Sequence, residues 1–99
     1  MTNTLKKDFL IRKATIKDSD RINSLSTELI GSPIGDRKRI FQKAIKHKNY
    51  LCLVAEFNKK IIGFIDMWAF PDVSHGAYLA QIQNLIVAKE FRGTGWEHI

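Results

Sequence analysis

Ninety-nine residues, 44% hydrophobic and 26% charged, have the size and composition of one small domain and exclude a wholly disordered chain. No apolar run approaches the roughly 20 residues that cross a bilayer, and residues 1–8 are polar, with no signal core. The net charge of +6 favours an anionic partner, such as a phosphate-bearing cofactor, nucleic acid or an acidic surface. The one cysteine, Cys52, cannot close an internal disulfide and fits a reducing cytoplasm.

Residues 9–14 read as a first strand, with Leu10 among β-favouring neighbours. Thr15 and Asp18 form a capping box, so a helix opens there. Ile22, Leu25 and Leu29, with Ile30 beside them, recur at helical spacing and predict one buried face over 16–30. Gly31-Ser32-Pro33 ends that helix. A second helix runs from Pro33 or Asp36 to His47, with Ile40, Phe41, Ala44 and Ile45 as its apolar stripe. Arg37, Lys38, Arg39, Lys43, Lys46 and Lys48 fall on its other face and read as solvated. Phe41 sits on the stripe and does not interleave with the basic residues, which argues against nucleic-acid stacking.

Three strands follow, at 50–57, 61–70 and 77–87, separated by the turn Asn58-Lys59-Lys60 and a loop over 71–76. The short connections make both junctions antiparallel. The fold class is therefore α+β: a mainly antiparallel four-stranded sheet with two N-terminal helices, in the order β-α-α-β-β-β, as one domain over 1–99. Alternation puts Ile62, Phe64 and Trp68 on one face of the middle strand, and Ile61, Ile65 and Met67 on the other. In the last strand, Leu79, Leu85 and Val87 oppose Ala80, Ile82 and Ile86. Both faces are apolar and both need cover. If the two helices share one face, the other is bare and open to a second copy of the chain or another partner.

The last strand runs into Lys89-Glu90-Phe91-Arg92-Gly93-Thr94-Gly95. A strand ending in a glycine-containing turn can aim several backbone N–H groups at one anion, and Arg92 adds charge. On its own, a G-x-G stretch reads as a turn.

In order, these elements and motifs resemble the N-terminal half of the GNAT acyl-CoA-dependent N-acetyltransferases. Ile11-Arg12-Lys13-Ala14-Thr15 with Asp18 is similar to that family's opening strand and cap, and Val54-Ala55-Glu56 through Ile62-Gly63-Phe64-Ile65 to its central hairpin. Leu85-Ile86-Val87 through Arg92-Gly93-Thr94-Gly95 is similar to its cofactor motif. The resemblance implies transfer of an acetyl group from acetyl-CoA to a primary amine on a small molecule or peptide. It implies pantetheine contacts on Leu85, Ile86 and Val87, and a pyrophosphate loop at Arg92, Gly93, Thr94 and Gly95.

Departures from the family pattern bear on activity. Glu97 stands where the motif needs a small residue, and Lys89 where the family often has proline. Gln81, with Gln83 nearby, takes the place of the fourth-strand carboxylate, and an amide cannot act as a base. The family's later helices, strands and closing hairpin have no counterpart here. The expectation is a truncated domain with weak or absent catalysis, or a non-catalytic module that dimerises through its uncovered sheet.

The other chemical side chains carry bland readings. Glu56 and Asp66 read as solvated or turn-facing carboxylates, and Cys52 as a small buried hydrophobe. Trp68 reads as core and Trp96 as exposed beyond the turn. His47, His75 and His98 lie at exposed or terminal places, and no pair has metal-ligand spacing.

Overall fold

Asn58 and Lys59 both adopt left-handed backbone, with φ of 52° and 66°. Two consecutive residues of positive φ make a type I′ turn, whose twist matches the strands it joins. That turn links β2 (Tyr50–Phe57) to β3 (Lys60–Asp72), in antiparallel register. A computed structural model describes residues 9–92, and β1 (Phe9–Lys13) and β4 (Ala77–Val87) complete its sheet. The strand order is β1-β2-β3-β4, every pair is antiparallel, and β4 is an edge. The α+β order β-α-α-β-β-β is as the sequence predicts.

Lys59 suggests a direct check of the turn. A left-handed conformation costs a side-chain-bearing residue about 1–2 kcal/mol, whereas glycine costs about 0.5–1 kcal/mol in chain entropy. Lys59→Gly is expected to stabilise the fold by roughly 0.5 kcal/mol, read as a higher urea midpoint at unchanged slope. A lower midpoint would contradict the turn type.

Between β1 and β2 the chain makes a single 3-10 turn (Ile16–Asp18), then α1 (Ser19–Ile30) and α2 (Arg37–Ala44). The Thr15 N–H donates to Asp18 Oδ2 at 2.7 Å, the returning half of the capping box. Gly31, at φ 85°, ends α1 by donating its N–H to Thr27 O at 2.9 Å. Asp36 caps α2 by accepting the Arg39 N–H. None of the helices in the described residues is long and apolar enough to cross a membrane.

Both helices cover one sheet face. Ile22 and Leu25 from α1 and Phe41 from α2 join Cys52, Val54, Ile62, Phe64 and Ile86 in the core. The predicted stripe is correct in its middle and wrong at its ends: Leu29, Ile30 and Ile40 are exposed. Leu29 and Ile30 lie in the last turn of α1, and Ile40 lies within α2 beside the buried Phe41. Arg37 also departs from the solvated reading. Its guanidinium donates to Asn23 O, Asn23 Oδ1, Thr27 Oγ1 and Gly31 O, tying α2 to the end of α1.

Two bulges change which side chains share a face. At the first, Ala55 pairs with Gly63 while Glu56 pairs with Ile61, so Ile62 is the extra residue. Ile61 and Ile62 are then both buried, although strict alternation would separate them. At the second, Asp66 pairs with Asn84 while Met67 pairs with Ile82, which leaves Gln83 as the extra residue. Ile82 therefore shares the Met67 face, opposite to Ile86, and Gln81 joins the Trp68 face. One inserted residue inverts the alternation beyond it. The face carrying Ile11, Ile82 and Leu85 has no helix over it among the described residues, and these three are 58–61% exposed.

Candidate functional site

A cavity of about 440 Å³ lies between the helix pair and the sheet. α1 lends it Ile22, Ser26 and Ile30, and α2 lends Arg37, Ile40, Phe41 and Ala44. The sheet supplies Tyr50, Phe64, Asp66, Trp68, Gln83 and Asn84. The bulge puts Gln83 in this lining, so the cavity meets the edge strand where the ladder is interrupted.

Asp66 lines the cavity and is 7% exposed. Tyr50 donates its hydroxyl to Asp66 Oδ2 at 2.6 Å, and Asn84 donates Nδ2–H to Oδ1 at 3.0 Å. Burial and the Asp66 hydrogen bond push the Tyr50 hydroxyl far above its ordinary range, so it remains a donor. Trp68 packs beside Tyr50, ring centroids 4.9 Å apart, and the His47 ring meets it edge-on at 5.5 Å. It is a half-buried wall of the cavity and not a core residue. Cys52 is 4% exposed; burial and the Asp66 charge push its thiol up to about 12. It is an inert filler, as the sequence predicts.

Glu56 is held as well. The Arg12 Nε–H donates to Glu56 Oε2 at 2.6 Å, and both Arg12 Nη atoms grip the two oxygens of Asp18, at 2.8 and 2.9 Å. The reading of Glu56 and Asp66 as solvated carboxylates is thus overturned for both. Glu56 belongs to a structural ion network, and Asp66 belongs to the cavity. The signal in the sequence was Arg12 alternating onto the covered sheet face, where a cation needs anions.

Gln81 lies on β4 opposite Trp68, exposed and outside the cavity lining. Of the residues expected to contact pantetheine, Leu85 is 61% exposed on the uncovered face, Ile86 is buried, and Val87 is half-buried. Arg92 folds back: its Nε–H donates to Val87 O at 2.8 Å, and Nη2 lies 3.6 Å from Glu28 Oε2. Glu28 also accepts the Lys89 N–H at 2.6 Å. Gly93, Thr94, Gly95, Trp96, Glu97 and His98 lie outside the described residues.

Asp72, Ser74 and His75 gather in the β3–β4 turn. The Asp72 carboxylate and the Ser74 hydroxyl both meet His75 Nδ1, at 2.6 and 3.3 Å. A serine nucleophile relay needs serine and carboxylate on opposite ring nitrogens. This group closes a turn, and His75 holds the Asp72 carboxyl below its ordinary range.

The chain matches the family model of acetyltransferases (GNAT) over residues 20–96. No curated protein matches it. Among solved structures it is similar to a GNAT family acetyltransferase of Staphylococcus aureus subsp. aureus USA300_TCH1516, with a TM-score of 0.76 and 23% identity over 92% of this chain and 70% of that one. A transcriptional regulator of Bacillus halodurans C-125 gives 0.76 and 24%, over 91% and 67%. The ribosomal-protein-alanine N-acetyltransferase of Brucella melitensis biovar Abortus 2308 gives 0.73 and 16%, over 91% and 64%. The chain thus spans 64–70% of the length of these structures, and the likeness is one of fold. With the family model matched over 20–96 and the four-stranded sheet and helix pair in place, the chain belongs to the GNAT acetyltransferase family.

Proposed function

We propose that this chain binds acetyl-CoA along the outer edge of β4 and transfers the acetyl group to a primary amine held in the helix-lined cavity. One observation carries the reading: the cavity lining reaches the edge strand at its bulge, through Gln83 and Asn84. An acceptor there lies beside backbone groups that no strand occupies among the described residues. Leu85, Ile86 and Val87 would hold the pantetheine arm, and Arg92, Gly93, Thr94 and Gly95 the pyrophosphate. In the transfer, the amine lone pair attacks the thioester carbonyl and the C–S bond breaks. The thiolate leaves with CoA, and the amine's surplus proton passes to water, since Gln81 cannot accept it.

Arg92 must release Val87 O and Glu28 to reach a phosphate, which weakens binding. The 99 residues by themselves are therefore expected to bind CoA weakly and turn over slowly. Titration calorimetry with CoA tests this. Binding is expected, and Arg92→Ala should weaken it roughly tenfold through loss of a charge-assisted contact. No CoA binding at millimolar concentration would overturn the reading.

The uncovered face supports a second reading, in which two copies pair through Ile11, Ile82 and Leu85 in a non-catalytic dimer. Sedimentation at micromolar concentration separates the two, since a clean monomer would dismiss the dimer.

A further inference from the structure

Among the described residues, Asp66 is a buried carboxylate without a cation. No lysine, arginine or histidine of the described residues lies within ion-pair distance of it. Its two hydrogen bonds use one lone pair on each oxygen, while an ionised carboxylate has about four acceptor sites. Two acceptor positions are left on a carboxylate that lines the cavity. A buried charge is costly unless it is paired. The surroundings define the partner. Tyr50 and Trp68 present aromatic rings beside the carboxylate, and the buried Phe41 and Phe64 also line the cavity. Aromatic faces attract cations and exclude water from an apolar group. Two of the other polar side chains at hand are already engaged, since Ser26 donates to Ile22 O and Arg37 is tied to the end of α1, while Gln83 is exposed at the edge strand. The cavity volume falls within the range of about 300–1,000 Å³ typical of small-ligand sites.

We propose that Asp66 is the recognition group for the acceptor, and that the cavity takes a monocationic primary amine with a planar apolar body. The ammonium donates to the two open positions on Asp66 and gives up one proton to water before its nitrogen lone pair attacks, and the apolar body lies against Trp68 and Phe41. Tyr50 and Asn84 act as positioning residues that keep the carboxylate facing the cavity. This rests on the acetyl-transfer reading for its role in catalysis, but the binding event does not require CoA.

The test uses the full chain and three probes: 2-phenylethylamine, its neutral analogue 2-phenylethanol, and CoA. Calorimetry is expected to show the amine binding at least tenfold more tightly than the alcohol. Asp66→Asn, folded by circular dichroism, should abolish that preference while CoA binding persists. Amide and side-chain NMR of the unmutated chain keeps the test open if the variant does not fold. Amine-induced shifts should centre on Tyr50, Trp68 and the Asn84 side chain. Equal affinity for amine and alcohol, an unchanged preference in Asp66→Asn, shifts centred elsewhere, or no amine binding would each overturn the proposal. CoA binding without amine binding removes this inference alone; amine binding without CoA binding removes the acetyl-transfer reading alone.

Discussion

Leu25→Ala is expected to destabilise the fold by about 3–4 kcal/mol, within the range for a leucine emptied from a packed core. Leu25 is fully buried between α1 and the sheet, with Ile22 and Phe41 in the same cluster. Neither helix can close the gap easily, because Arg37 ties the two together. A domain of this length sits low in the usual range of about 5–15 kcal/mol. Such a loss leaves a marginal or unfolded chain at 37 °C. Leu29→Ala, one turn on, is expected to cost under about 1 kcal/mol, because that side chain is already 44% exposed. Urea melts of the two variants check the phase of α1. Equal costs would show that the helix presents a different face to the sheet.

Asp18→Asn is expected to cost about 2–3 kcal/mol at neutral pH, since it breaks a two-point contact and leaves Arg12 with Glu56 alone. Asp18 is buried, and it also accepts the Thr15 N–H that opens the first helical turn. One carboxylate thereby fastens β1 to the start of the helices. The Arg12 guanidinium, more than any other contact, holds the Asp18 carboxyl below its ordinary 3.8. A depressed folded-state value contributes stability above the unfolded value and loses it as pH falls through the folded value. The unmutated chain should therefore lose stability below about pH 4, and Asp18→Asn should lose less over that window. The Asp72–His75 pair is common to both chains and cancels in the comparison. Parallel curves from pH 6 to 2 would show that the network does not govern acid stability.

β4 was legible in the sequence and the helix-lined cavity was not. β2 and β4 fall on the predicted residues, because β-branched runs bounded by turn residues are local signals. Gly31, the Asp36 cap and the Asn58-Lys59 turn are local as well, each set by one or two residues' backbone preferences. Asp66 and Glu56 could not be placed this way. Each lies on a strand, where a carboxylate reads as solvated until its partners across the sheet are known. Tyr50 and Asn84 are 16 and 18 residues from Asp66, and Arg12 is 44 from Glu56.

By itself the sequence determined the element order, the helix caps, the hairpin and the apolar character of both sheet faces. These depend on propensity and period, which act over a few residues. The tertiary structure alone decided which face the helices cover, and that Leu29 and Ile30 stay exposed. It also decided that Gln83 is an inserted residue, turning Ile82 away from Ile86 and placing Gln81 on the Trp68 face. A bulge arises from how two strands pair and leaves no mark in the alternation of either one. The same pairing brings Asp66, Tyr50 and Asn84 together in the cavity lining.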